Sequence, residues 1–512
     1  MVIINGENLT IEDVARIAVK GEAVGLSPGS IERINRSREY VEGIIKKGEI
    51  VYGVTTGFGK FCNVIISSED TRKLQINLIR SHSVGVGEYF PEEIVRAMML
   101  LRINALAKGY SGIRLSTIET LIDMLNKGVT PLVPCQGSLG ASGDLVPLAH
   151  IALVMMGEGE AVFNSKILPG KIALELAGIK PVVLEAKEGL ALINGTQAMS
   201  AVGSLALAGA QNLSKVADIS GVLSFEALNG IIDAFDEKVQ AIRPHPGQNS
   251  CARNFMILLE GSRLITRQGQ LKVQDAYALR CMPQVHGAIK DAIKHIRKVL
   301  EIEINSATDN PLIFSNEEKV ISGGNFHGEP VAINMDYLSI AVSELANISE
   351  RRIERLVNPY LNEGLPPFLI ENGGLNSGLM ISQYTAAAIV SENKTLSAPA
   401  SVDSIPSSAN QEDHVSMGTI AARKAMKVVE NTVNVLAIEL LCAAQAMDFR
   451  IQKTGLDKAL GKGTLAAYEA VREKVPTIVA DRPLSDDVRI LAGLIKSGEL
   501  VRRVEKVVGT LE

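Results

Sequence analysis

The stretch from Ser416 to Arg450 constrains this chain most, because it holds a helical pattern long enough to span about 50 Å at 1.5 Å per residue. Val428, Val429, Val433, Val435, Leu436, Ile438, Leu440 and Leu441 wrap around that helix. A helix apolar on all sides must be buried, and neighbours from other subunits are the expected cover. Similar patterns run over Thr196–Leu228, Gln284–Ile302, Val331–Val357 and Ser377–Leu396. Helices this long suit a bundle. The expected fold is mainly α, a long-helix bundle with a small mixed N-terminal region.

The N-terminal part reads differently. Val2 to Ile4 is a short strand, and Thr10 caps a helix with Glu12 near its start. Residues 30–48 form an amphipathic helix, 51–67 are Gly-rich and irregular, and 68–130 carry helical patterns. Ala161 to Pro181 mixes extended pieces with turns. The chain therefore divides into 1–194, a central bundle over 195–450 and a smaller helical segment over 451–512, read as one continuous unit.

Bulk numbers narrow the function. A net charge of -5 recommends neither nucleic acid nor an anionic membrane. The five cysteines are dispersed and lack metal-site spacing, which points to reduced thiols, a cytoplasmic protein and no metal. The first residues do not resemble a signal peptide, and no uninterrupted apolar run reads as a membrane span.

Ala141-Ser142-Gly143 carries the chemistry. The Gly143 amide nitrogen can attack the Ala141 carbonyl carbon, and loss of water closes an imidazolone. A second water, lost from Ser142, leaves an electrophilic methylidene. Gly143 has no Cβ and lets its nitrogen approach. Asp144 is expected to cap the apolar helix Leu145–Met156, whose positive end would draw electrons toward the ring oxygen. The tripeptide alone reads first as a tight loop before a helix, since such loops are common. The full string Gly137-Ser-Leu-Gly-Ala-Ser-Gly-Asp-Leu-Val-Pro-Leu-Ala-His150 is far more specific.

This string resembles the signature of the ammonia-lyases and aminomutases that carry a 4-methylidene-imidazol-5-one (MIO) group. Matching motifs occur in family order from about Tyr52 to about Arg450. The resemblance implies a helical homotetramer with sites shared between subunits. It also implies loss of ammonia from an amino acid, and a prosthetic group made from Ala141, Ser142 and Gly143 without an external cofactor. The bundle type is then that of the ammonia-lyases and fumarases.

Other motifs take roles from the same resemblance. Val51-Tyr-Gly-Val-Thr-Thr-Gly-Phe-Gly59 is a flexible Gly-rich loop, and Tyr52 matches the catalytic base. Alone it would read as a buried loop tyrosine. Asn194, in an otherwise ordinary Asn-Gly turn, matches a site residue that orients a carboxylate or the ring oxygen. Gln274, Tyr277 and Arg280 stand at i, i+3 and i+6 and would share a helix face. Arg280 suits the substrate carboxylate through its planar fork, where a surface salt bridge is the plainer role. Tyr277 joins the catalytic set and Gln274 the substrate-binding one. Asn325 can hydrogen-bond a carboxylate, and Phe326 can cover a planar side chain.

Two markers concern the substrate. Ser81-His82 stands where tyrosine-specific members carry His-Leu and phenylalanine-specific ones Phe-Leu. Gln411-Glu412-Asp-His-Val-Ser-Met417 resembles the histidine-cleaving branch and could otherwise be a solvated acidic turn. His82, Gln411 and Glu412 would then recognise an imidazole, and L-histidine would give trans-urocanate and ammonia. Thr55 departs toward the aromatic branch. The nearest alternative is a tyrosine ammonia-lyase or 2,3-aminomutase with the same group. A fumarase-type enzyme lacks support because its Gly-Ser-Ser-x-Met-Pro-x-Lys loop is absent. A serine hydrolase would need Gly-x-Ser-x-Gly, and a binding protein would need no reactive tripeptide.

Overall fold

The computed structural model describes residues 1–57, 59–61, 63–67, 70–455 and 460–512. Helices dominate the described residues, and the strands are two to four residues long. The chain forms two compact units. The first comprises Met1–Ala208, Ile296–Asp336 and Pro399–Lys424, and the second Gly209–His295, Tyr337–Ala398 and Ala425–Glu512. These units do not coincide with the stretches drawn at residues 194 and 450.

In the first unit, Val2–Ile4 pairs in parallel with Val24–Leu26. Thr10 opens Ile11–Lys20 with a capping box whose return bond comes from Asp13. That helix packs on Glu92–Ala107, most of which is buried. Three further helices pack on one another: Thr71–His82, Leu145–Met155 and Glu188–Ile193. Their ends deliver His82, the segment after Ser142, and Asn194. Strand Val86–Tyr89, within the stretch expected to be helical, pairs antiparallel with Pro134–Gln136. Four exposed residues, with Gly87 among them and Gly85 just before, carry no alternation that would separate a strand from a loop. In the 161–181 stretch, the expected extended pieces form a hairpin, Glu160–Phe163 with Lys166–Pro169, followed by an unexpected helix over Gly170–Leu176.

The second unit is helical. Phe225, Phe235 and Phe255 form its aromatic centre, with Phe235 and Phe255 stacked at 4.6 Å. The long helices observed are Gln197–Ala227, Met282–Glu303, Glu329–Val357, Met380–Leu396 and Gly418–Thr454, all within a few residues of expectation. The last is apolar and long enough to cross a membrane, and 83% of its most apolar window is buried in the protein. Val428, Val433, Leu436, Ile438 and Leu441 are all buried within this one chain. The expectation that this helix needs other subunits to cover it is therefore corrected: its own protomer covers it. Met380–Leu396 is far less covered, with only Ala386 and Asn393 buried and Ile381 and Tyr384 exposed.

Candidate active site

The Ala141-Ser142-Gly143 tripeptide sits in a tight turn of the first unit. Gly140 and Gly143 form an antiparallel bridge, and Gly143 also bridges Gly195 in parallel. Gly143 has φ +72, and a Cβ there would lie 2.2 Å from the Gly195 carbonyl oxygen. Glycine is required on both counts. Gly195 is equally confined, since its Cβ would meet Gln197, Thr308 and Arg102 within 2.5 Å.

Asp144 corrects an expectation. It stands at the cap position of Leu145–Met155, yet its side chain makes no cap bond there. Its buried carboxylate instead accepts from the Met199 backbone N–H at 2.8 Å, the Ser138 hydroxyl at 3.0 Å and the Thr419 hydroxyl. Met199 lies in the first turn of Gln197–Ala227, so Asp144 caps that helix. The local backbone bends back and gives the Asp144 N–H to the Gly195 carbonyl at 2.7 Å. Burial raises the Asp144 pKa above its ordinary value, and these hydrogen bonds only partly offset the rise.

Asn194 ends the helix Glu188–Ile193 with extended backbone. Its Nδ2 donates to the Ser142 carbonyl oxygen at 2.9 Å. Its Oδ1 is buried and has no partner among the described residues. Arg102, fully buried, fixes the Asn194 carbonyl and Gln197 Oε1, each at 2.8 Å. Burial pulls the Arg102 pKa down to about 10, opposed by Asp309, so the guanidinium stays charged. Asp309 is held in turn by Lys187 at 2.8 Å. Sequence reasoning missed Arg102, though an arginine inside Met-Met-Leu-Leu-Arg-Ile-Asn-Ala-Leu was a signal.

A cavity of about 940 Å³ opens beside Ser142. Tyr52, His82, Ser142, Asn194, Phe326, Gln411 and Glu412 all line it. Asn77, Asn310 and Ser322, which the sequence did not single out, line it too. Ser142 Oγ donates to Glu412 Oε1 at 3.2 Å. The Gly59 N–H donates to Tyr52 Oη at 3.3 Å. Phe58 and Cys62 of this loop region lie outside the described residues. The Thr55 hydroxyl donates to the Glu49 carbonyl at 2.8 Å and accepts from Val51 N–H, away from the cavity lining. Ser81 Oγ and His82 Nδ1 are 3.1 Å apart. Burial pushes the His82 pKa below its ordinary value, against the pull of Glu412.

Glu412 is held by strained backbone. Ser408, Ala409 and Asn410 have φ of 50, 54 and 65, left-handed values that cost about 1–3 kcal/mol each. The Ser407 N–H donates to the Glu412 carbonyl at 2.7 Å, and the Glu412 N–H returns to Ser407. The Gln411 N–H closes on Ser408 at 3.2 Å.

Other expected site residues stand apart. Asn325 is exposed, donates to Ala307 at 3.3 Å and does not line the cavity. Its side chain serves its own turn, which corrects its placement. Gln274, Tyr277 and Arg280 belong to the second unit, and none lines the cavity. The shared helix face expected for them is also corrected. The helix is only Tyr277–Arg280, and Gln274 precedes it in irregular backbone. Tyr277 is 70% exposed. The Arg280 guanidinium lies over its ring at 4.7 Å, and Arg280 Nε is buried without a partner among the described residues.

Contrary to the sequence spacing, two side-chain groups have metal-like proximity: Asp218, Cys251 and His286, and His327, Glu329 and His414. Asp218 already engages His286 at 2.8 Å and Lys290 at 3.1 Å. In the other group, Glu329 N–H donates to His327 Nδ1 at 3.3 Å. His327 Nε2 in turn faces His414 Nδ1 at 3.4 Å, and the two rings stack.

Residues 9–473 match the aromatic amino acid lyase family. The chain is 62% identical to a histidine ammonia-lyase of Caldanaerobacter subterraneus subsp. tengcongensis, over 99% of this chain and 98% of that protein. Among solved structures, histidine ammonia-lyase from Trypanosoma cruzi superposes with a TM-score of 0.92 at 43% identity, covering 99% of this chain and 95% of that one. Tyrosine aminomutase from Streptomyces globisporus superposes with a TM-score of 0.95 at 40% identity, covering 100% of both. The chain belongs to the aromatic amino acid lyase family. It is an enzyme, a carbon–nitrogen lyase of the ammonia-lyase type.

Proposed function

We propose that the protein is a histidine ammonia-lyase, converting L-histidine to trans-urocanate and ammonia at the cavity beside Ser142. The observation that carries this is the meeting of Tyr52, His82, Asn194 and Glu412 around the reactive tripeptide. The curated relative from Caldanaerobacter supports the substrate.

The residues fit an MIO group built from Ala141, Ser142 and Gly143. The Gly143–Gly195 approach leaves no room for a side chain, and the Asn194 amide already holds the Ser142 carbonyl oxygen. Once formed, the group supplies an electrophilic methylidene carbon that draws electrons from the substrate. Tyr52 takes the β-proton, helped by the Gly59 N–H on its oxygen. Asn194 Oδ1, without a partner among the described residues, accepts from the substrate ammonium. Neutral His82 and the Glu412 carboxylate satisfy the two ring nitrogens, and Phe326 covers the ring. The tyrosine 2,3-aminomutase reading keeps the same group but leaves His82 and Glu412 facing a phenol.

The assembly is part of the proposal. Gln274, Tyr277 and Arg280 would complete the site from another subunit in a cytoplasmic homotetramer, with Arg280 on the substrate carboxylate. The exposed apolar helix Met380–Leu396 supports association. Intact mass and light scattering test both parts. The active protein should weigh two waters less than its sequence and scatter as a tetramer. An active monomer of unmodified mass would contradict them.

A further inference from the structure

The Ser142 hydroxyl must leave if the group proposed above is to form, and this inference rests on that reading. In the fold that hydroxyl is placed against a specific partner. Ser142 Oγ donates to Glu412 Oε1 at 3.2 Å, so a carboxylate faces the leaving group. Ser407 Oγ donates to Glu412 Oε2 at 3.4 Å, and paired backbone bonds fix Glu412 to Ser407. The left-handed turn at 408–410 holds this arrangement at a cost in strain. On the other side of Ser142, Asn194 Nδ2 donates to its carbonyl oxygen at 2.9 Å. That oxygen gathers negative charge when the adjacent Cα proton is removed. A donor fixed there in advance stabilises the charge as it develops.

We propose that Glu412 is the acid–base group that dehydrates Ser142 during maturation, with Asn194 as the donor to the developing oxyanion. After ring closure, the Glu412 carboxylate takes the Cα proton of Ser142. The released electron pair forms the Cα–Cβ double bond, and the Cβ–Oγ bond breaks. The departing hydroxide takes the proton back from Glu412. One water leaves and the carboxylate is regenerated. The dehydrated residue no longer has an Oγ, and Glu412 becomes free to accept from a substrate. One carboxylate thus serves first the chain and then the ligand.

The test is time-resolved intact mass on full-length chains made in a cell-free synthesis. Wild type should lose two waters. Glu412→Gln should retain the second water, or lose it about 100-fold more slowly, in keeping with the loss of a positioned acid–base group. Glu412→Asp, which keeps the carboxylate but withdraws it by one methylene, should mature at an intermediate rate. If the Gln variant does not fold, the Asp variant decides alone: a slowed second loss supports the proposal and a wild-type rate overturns it. Loss of both waters by Glu412→Gln at the wild-type rate overturns it as well, while leaving the proposed function standing. A wild-type chain of unmodified mass would instead overturn the functional reading beneath it.

Discussion

Two buried polar clusters of this molecule are built in opposite ways. Around Glu439, in the second unit, every demand is met. Arg352 donates through Nε at 2.5 Å and Nη2 at 2.9 Å, and Ser349, Ser220 and Ser224 add bonds of 2.7, 3.0 and 2.8 Å. These donors keep the Glu439 carboxyl below its ordinary pKa despite burial. Around Asn194, in the first unit, demands are left open. Asn194 Oδ1 lacks a partner among the described residues, and so do Nε and Nη2 of the Arg102 that holds it. A buried polar group without a partner costs about 1–3 kcal/mol. The closed cluster is organised to hold the fold. The open one is organised to receive something.

The comparison breaks most sharply at Tyr52, on the cavity side. Tyr52→Phe should lower turnover by about 100- to 10,000-fold with little change in thermal unfolding, because it removes a proton acceptor and no core packing. Steady-state kinetics and a melting curve check this.

Exchanging damage between the two clusters is the next test. Glu439→Ala strands the Arg352 guanidinium and should destabilise the protein by about 3–5 kcal/mol, measured by denaturant unfolding. Asn194→Ala should leave stability near wild type and lower kcat/KM by about 10- to 100-fold, the loss expected from one unpaired buried group. Equal effects of both on stability would erase the distinction.

Much of this was legible in the sequence because long periodic signals survive without context. The helix boundaries of Gln197–Ala227 and Gly418–Thr454 lie within a few residues of expectation. The role of Asp144 was not legible. Capping is read from adjacent residues, whereas its partner, Met199, is 55 positions away. Arg102 was passed over for the same reason: its worth lies in a carbonyl 92 positions on. The i, i+3, i+6 spacing of Gln274, Tyr277 and Arg280 misled because a helix only four residues long cannot present that face. The apolar surface of Gly418–Thr454 showed that it is buried but not which chain buries it.

A smaller effect sharpens the comparison within the second unit. Glu226 is buried, and desolvation raises its pKa from 4.5 to about 7. The folded protein therefore binds a proton between those values that the unfolded chain releases. The associated stability is present below pH 4.5 and is lost as pH rises through 7. Glu226→Gln, which keeps an acceptor for the Gly461 N–H, should raise stability at pH 8 by up to about 3 kcal/mol and have little effect at pH 4. Unfolding curves at the two pH values measure it.

The central claim is that the open cluster, with His82 and Glu412, is built for an imidazole. Its most direct test is kcat/KM measured side by side for L-histidine, L-tyrosine and L-phenylalanine, with product identified. A site made to pair two ring nitrogens should favour histidine by about 10,000-fold or more and release only trans-urocanate and ammonia. Preference for tyrosine, or a β-amino acid as product, would contradict the account.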